Sequence, residues 1–254
     1  MMRALRKGAL TGSVAVLILA GVAGCASRDD PGDAAISEAA EKPALGLFSG
    51  LPICWSPSQG FAAGLQGGEP HWVRAALEER YRLEPLDFLG ESDGAPSTGL
   101  RKLDRLLIVQ PRALTAADNV ALDRWVTDGG HLFLALDPML TEHFEMPIGD
   151  PNRPNVVALV PPVLKRWGLA FSVDENDQRH RAVSNAATIP VDQHGRLETT
   201  AAEAASACRI SPDRIIASCK VGAGTVFVLA DAALFDAESP EPGALDAAIE
   251  AAFP

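Results

Sequence analysis

The sequence is short of positive charge, and it lacks the motifs that most often mark a catalyst. Lys and Arg number 22 against 33 Asp and Glu, a formal net charge of −11. A surface this acidic repels phosphate backbones, so nucleic-acid binding is disfavoured on charge alone, and no polybasic patch remains for anionic lipid. No Gly-x-Cys-x-Gly or Gly-x-Ser-x-Gly elbow occurs, which removes the usual seat of an acyl-transfer nucleophile. His71, His131, His143, His180 and His194 are scattered, without the histidine-plus-acid pairing that normally follows such a nucleophile. There is no glycine-rich phosphate loop. Gly222-Ala-Gly224 falls between two apolar runs rather than before a helix, and reads as a hairpin turn. Glu142, His143, Glu145 and Asp150 lack the regular spacing of a hard-cation loop, and Asp174-Glu-Asn-Asp lacks its glycine and closing glutamate. No metal or cofactor is expected. Internal repeats are absent, and beyond the N-terminal segment no run is long and apolar enough to span a membrane.

What is present begins with an export-type head. Arg3, Arg6 and Lys7 form a basic region, Ala9 to Ala20 is mostly apolar, and the stretch closes on Val22-Ala23-Gly24-Cys25. That tetrapeptide resembles a bacterial lipobox, in which a peptidase cuts before the cysteine and the cysteine carries lipid. Residues 1–24 are therefore expected to be a lipoprotein signal peptide, with Cys25 the lipid attachment site; the alternative is an uncleaved anchor, for which the apolar run is short. This places the protein in the bacterial cell envelope on the periplasmic face, with inner and outer membrane both open. Residues 25–43 are small, acidic and punctuated by Pro31, Gly32 and Pro43, and read as a flexible tether of about 60 Å maximum reach. Residues 44–254 are expected to form a single α/β domain.

The centre of that domain is Asp104 to Met139. Leu106–Val109 is an apolar run without alternation, as a strand covered on both faces requires. Pro111 breaks it, Thr115 can cap a helix with Asp118 in its first turn, and Ala117, Ala121, Leu122, Trp125 and Val126 share one face. Asp118, Asp123 and Arg124 are left room to face water. Gly129-Gly130 stops the helix, and His131–Leu136 is a second buried strand ending in Asp137-Pro138. Two such strands joined by a helical crossover predict a three-layer, mainly parallel, Rossmann or flavodoxin-like sheet. Around this unit the pattern predicts strands over Leu45–Ile53 and Leu83–Leu89 and a helix opened by Pro70. It further predicts a short helix over Val160–Trp167 and a strand over Leu169–Val173. An antiparallel excursion follows over Ala182–Pro190, Arg196–Thr200 and Ala207–Ile210. Strands over Arg214–Val221 and Thr225–Ala230 and a closing helix over Gly243–Phe253 complete the domain.

The pieces Pro111, Leu114, Thr115, Leu122, Trp125, Val126, Gly129, Gly130, Asp137 and Pro138 resemble the auxiliary domain of ABC-transporter systems, the gliding-motility-type extracytoplasmic subunit. Gly222-Ala-Gly224 followed by the run to Asp231 is similar to that family's late strand. The resemblance implies a class I glutamine-amidotransferase-like fold without catalytic residues, and partners among the permease or associated subunits of a transport system. At the turn where such enzymes place a cysteine, this chain has Asp137-Pro138. Aspartate is a poor acyl-transfer nucleophile, and proline removes an amide that would serve an oxyanion.

Trp55, on the long loop after the first strand, and Asp137 and Asp231, at strand ends, are the candidate crevice residues. Each aspartate has a second reading, as a cap accepting backbone N–H bonds. Cys208 and Cys219 flank a hairpin about Pro212-Asp213; a two-residue turn there would oppose Cys208 to Ala217 and leave the cysteines diagonal, so a disulfide between them needs a bulge. Three function classes follow: a non-enzymatic lipid-anchored subunit of a transport system, an envelope hydrolase with unrecognised residues, or a periplasmic ligand-binding lipoprotein.

Overall fold

The structure, a computed structural model, describes residues 41–54, 70–144, 146–173, 180–184, 187–202 and 206–253. Cys25, the tether as far as residue 40, and Trp55 lie outside these. In chain order, β1 (Ala44–Ser49) leads to α1 (Trp72–Arg80), β2 (Arg82–Pro85) and β3 (Arg105–Val109). Then come α2 (Ala116–Thr127), β4 (His131–Ala135), α3 (Val163–Arg166), β5 (Leu169–Val173), β6 (His180–Ser184), β7 (Ala187–Val191) and β8 (Gly195–Thr199). The chain finishes with β9 (Ser206–Ile210), β10 (Ile216–Val221), β11 (Gly224–Leu229) and α4 (Pro242–Ala252). Residues Glu41–Pro254 make one compact unit.

The main sheet has the order β2-β1-β3-β4-β11-β10-β9. Its first five strands are parallel neighbours, and β10 runs antiparallel to both β11 and β9. This is the expected mainly parallel α/β architecture, with β5–β8 and β6–β7 as small antiparallel pairs in the C-terminal half. The two central strands lie side by side and parallel, Arg105 beside His131 through Val109 beside Ala135. Leu106, Leu107, Ile108, Val109 and the whole run Leu132–Leu136 are fully buried. Each large apolar side chain among them contributes about 1.5–3 kcal/mol of burial.

The crossover between them ends where its sequence says it should. Thr115 Oγ1 accepts from the Asp118 amide at 3.1 Å, closing a capping box, and Trp125 Nε1 donates to Leu103 O at 3.0 Å. Gly130 is required by packing, since a Cβ there would stand 2.4 Å from the Trp125 ring. Asp118, however, does not face water. It is buried, with Oδ1 accepting from the Leu89 and Gly90 amides at 2.8 and 2.9 Å and Oδ2 from Thr115 N and Oγ1 at 3.0 and 2.7 Å. The chain after β2 passes over the helix start and needs a partner for its amides, a demand invisible in the helix's own pattern. Burial alone would raise the Asp118 pKa. The hydrogen bonds from Thr115, Leu89 and Gly90 outweigh it and hold the carboxyl below the usual range.

Other boundaries move for local reasons. β1 and β2 stop well short of Ile53 and Leu89, β1 because Gly50 turns the chain and β2 at Pro85. α3 occupies only Val163–Arg166, after the paired Pro161-Pro162. Ala182–Pro190 is not one strand but most of the hairpin β6–β7, in which Ser184 stands opposite Ala187. Val221 opposite Gly224 makes Gly222-Ala223 a two-residue hairpin turn, with Gly222 at φ 56°.

The β9–β10 register also differs from expectation. Ser211 N donates to Ile216 O, Arg214 N donates to Ser211 O, and Arg214 takes φ 63°, so four residues rather than two form the connection. That longer loop sets Cys208 directly opposite Cys219, with Cα atoms 4.0 Å apart and the sulfurs bonded.

Asp118→Ala is expected to lower stability by about 2 kcal/mol or more, because it removes a cap and strands two buried amides. The urea midpoint of the variant measures this; a midpoint equal to wild type would show that the buried carboxylate contributes nothing.

Candidate functional site

Three strands of the parallel block end side by side in polar residues. The apolar run of β3 closes on Gln110, that of β4 on Asp137 and that of β11 on Asp231. This is the edge at which open α/β sheets hold ligands, where β2 and β3 flank β1 and the strand order reverses. The three side chains are fully buried or nearly so, at 0 %, 1 % and 0 % exposure.

Gln110 is the residue the sequence did not announce. Its backbone stands at φ 41°, unusual for a residue with a side chain. Its Oε1 accepts from Asp137 N at 2.8 Å, and its Nε2 donates to Asp137 O at 3.1 Å and Asn155 O at 3.0 Å. One amide thus binds the end of β4 to the loop that later crosses it. Gly50 passes so close that a Cβ would lie 2.1 Å from Gln110 O, so β1 can leave the sheet beside Gln110 only as glycine. The one sequence signal for Gln110 is a polar residue closing a wholly apolar strand immediately before proline.

The structure brings Asp137 and Asp231 together, but inside the protein. Asp137 Oδ1 accepts from Met139 N at 2.8 Å and Oδ2 from Ala232 N at 3.2 Å, so it caps its own turn and reaches across to the exit of β11. Asp231 Oδ1 accepts from Ala233 N at 2.6 Å and Oδ2 from Asp192 N at 2.9 Å, which ties in the segment after β7. They are therefore caps rather than the floor of an open crevice, because the chain's own loops occupy the space above them. Ala158 N on one such loop donates to Asp137 O at 2.8 Å.

Burial drives the Asp137 carboxyl up to about 7, and the nearby Asp192 charge adds to this. Asp231 is raised well above the usual range, first by burial and then by Asp137. Glu142, on the loop after Asp137, is likewise pushed to about 7 by burial and then by Asp236 and Glu238.

Chemically the arrangement is a scaffold. Pro138 offers no amide at the turn after β4, and Asp137 has both oxygens engaged by backbone. Cys54 is a half-buried free thiol whose pKa burial raises, opposite to what a reactive thiolate needs. Among the described residues no three His, Cys, Asp or Glu side chains gather as metal ligands. Trp55 lies outside the described residues, and Cys208 and Cys219 sit on β9 and β10, away from these strand ends.

The raised carboxyls make stability depend on pH with a definite sign. In the unfolded chain they titrate near 4, so between about pH 4 and pH 7 the folded state holds more protons, and raising the pH costs stability. His71 and His131, depressed chiefly by burial, push the other way below about 6.5. The clean reading is therefore the difference between wild type and Asp137→Asn. The stability advantage of the wild type is expected to shrink or reverse as pH rises from about 5 to about 8. Thermal unfolding in matched buffers tests this, and an advantage that grows with pH would contradict the buried-proton account.

No curated protein matches the chain. Among solved structures it resembles an exo-β-1,4-mannosidase from Opitutaceae bacterium strain TAV5, at 12 % identity and TM-score 0.44, over 75 % of this chain and 31 % of that one. A β-galactosidase from Bacillus circulans sp. alkalophilus is similar at 11 % identity and TM-score 0.44, over 83 % of this chain and 31 % of that one. A cytoplasmic protein from Salmonella typhimurium LT2 is similar at 12 % identity and TM-score 0.42, over 81 % of this chain and 92 % of that one. The chain thus spans about a third of the two glycosidases, and at these scores the likeness says nothing of activity. A family described as an ABC-type uncharacterized transport system matches residues 42–204, more than half of the chain. The matched stretch contains Gln110 and Asp137, while Asp231 lies beyond it. The chain belongs to the auxiliary family of ABC-type transport systems.

Proposed function

We propose that the protein is a lipid-anchored, extracytoplasmic subunit of an ABC-type transport system that acts by binding a partner and not by turnover. The family match over residues 42–204 carries this reading. Two further observations support it. At the turn where a class I glutamine-amidotransferase-like enzyme would hold its nucleophile, the chain has Asp137-Pro138, with the aspartate buried and engaged by backbone amides. The basic head, apolar core and Val22-Ala23-Gly24-Cys25 box occur in the order of a lipoprotein signal. In this reading the fold is glutamine-amidotransferase-like without its catalytic residues, Cys25 carries the lipid, and the partners are the permease or its associated subunits. A short tether then holds the domain close to the membrane, where a subunit of a membrane complex is useful and a catalyst of free small molecules gains nothing evident.

Radiolabelled palmitate fed to cells is expected to label the wild type and not Cys25→Ser; equal labelling of both would remove the anchor from the proposal. For the binding role, wild-type protein recovered from detergent-solubilised membranes is expected to carry transporter subunits. It should show no hydrolysis across ester, amide and glycoside substrates. Asp137→Ala is expected to reduce recovery in step with its loss of folded protein. Turnover abolished by a single substitution that leaves folding intact would overturn the non-enzymatic reading.

A further inference from the structure

The two ends of the main sheet are finished differently. At one end β2 is only Arg82–Pro85, closes on a proline that offers no N–H, and pairs the Arg82 and Glu84 side chains. Such an edge is blunted against further pairing. At the other end β9 contains no proline, and among the described residues no strand pairs with its outer side. Its residues alternate between half-buried and exposed, with Ala207 and Arg209 exposed. The 4.0 Å Cα separation of Cys208 and Cys219 marks a non-hydrogen-bonded pair, so the Cys208 N–H and C=O point away from β10, toward the open edge. The disulfide holds that edge strand to its neighbour.

Cations share one face of the sheet from its centre to this edge. Arg105, His131, Thr225 and Lys220 stand in one row across β3, β4, β11 and β10, and therefore project from the same face. His131 Nδ1 lies 2.7 Å from Thr225 Oγ1. The next row on that face runs Phe227, Ser218, Arg209. The His131 pKa is lowered by burial first and then by Arg105 and Lys220, with Asp104 acting in opposition, so both cations bear on one spot. α4 covers Phe227 but stops at Ala252. Beside it a groove of about 450 Å³ stays open over Ala207, Arg209, Ser218, Lys220 and Thr225. The carboxylates of α4 that lie nearby, Asp246 and Glu250, are turned to Arg80. In a chain of net charge −11, Arg209 and Lys220 form a cationic patch beside a strand whose outer edge has no partner among the described residues.

We propose that the outer edge of β9 is a strand-addition site for an extended segment of a partner protein in which acidic and apolar residues alternate. An added strand would lie about 4.8 Å outside β9 and take main-chain hydrogen bonds from the Cys208 backbone. Its side chains beside Ala207 and Arg209 face the groove, where carboxylates meet Arg209 and lie in the field of Lys220, whose Nζ donates to Ala223 O. Those beside Cys208 and Ile210 face the opposite side of the sheet, where both residues are only half-buried and an apolar side chain completes their cover. A second copy of this chain fits poorly. Pairing β9 with itself sets two Arg209 guanidinium groups on one face, diagonal to each other, which like charge disfavours. The surface is a property of this chain alone, so its test needs no transporter subunit.

The probe is a fluorescein-labelled hexapeptide, Glu-Val-Glu-Val-Glu-Val, titrated with the full chain in detergent and followed by anisotropy. Saturable binding that weakens as salt is raised is expected, with no binding of the Lys-Val counterpart. The double variant Arg209→Glu, Lys220→Glu should bind roughly tenfold more weakly, because it puts like charge at the cross-strand position on β9 and behind it on β10. N-methylation of alternate peptide amides should abolish binding, because strand addition needs those N–H groups. Thermal unfolding of each variant is measured first, and Arg209→Ala replaces any that has lost the wild-type transition. Equal binding of the lysine or N-methylated peptide, or unchanged binding by the variants, would overturn the proposal. So would a wild-type dimer in sedimentation that Arg209→Glu dissociates, since the edge would then be an interface between copies.

Discussion

Parallel strands that end together leave their last amides and carbonyls side by side, and here that end lies beneath the chain's own loops. Buried backbone groups must find partners. The side chains of Gln110, Asp137 and Asp231 meet that demand at the ends of β3, β4 and β11, and between them they engage the loops through Met139, Asn155, Asp192, Ala232 and Ala233. The rest of the C-terminal half depends on this. The long excursion between β4 and β11 returns to the sheet through Asp137 and Asp231, and Gly50 lets β1 leave the sheet beside Gln110.

The same solution uses up the place where an α/β sheet would ordinarily do chemistry. Exclusion of water raises the pKa of both buried carboxyls, a condition that elsewhere supplies an acid or a base. In this fold their oxygens are occupied by backbone amides, so the perturbation records the cost of closing the strand ends rather than an available proton. In this chain, which belongs to an auxiliary family of ABC-type transport systems, the strand ends beneath these loops are part of the frame. Among the described residues an open groove lies elsewhere, where α4 stops short of β9 and β10 beside Arg209 and Lys220.

The residues alone determined a good deal. Uninterrupted apolar runs at Leu106–Val109 and His131–Leu136, a capping box at Thr115 and Asp118, and a glycine stop before the second run are local signals. A buried parallel pair joined by a helix follows from them without reference to any distant contact. The positions of Asp137 and Asp231 at strand ends were legible for the same reason, and so was their capacity to cap the next turn. Tertiary structure decided whatever depended on what another segment brings. Asp118 became a buried acceptor because the chain at Leu89 and Gly90 crosses its helix, and Gln110 became a clamp because Asn155, far along the chain, passes over it. Cys208 met Cys219 because Arg214 could enter a left-handed conformation and lengthen the turn. Periodicity and caps act over four or five residues and are written in the chain, whereas the partner of a buried polar group is chosen by the path of the backbone through space.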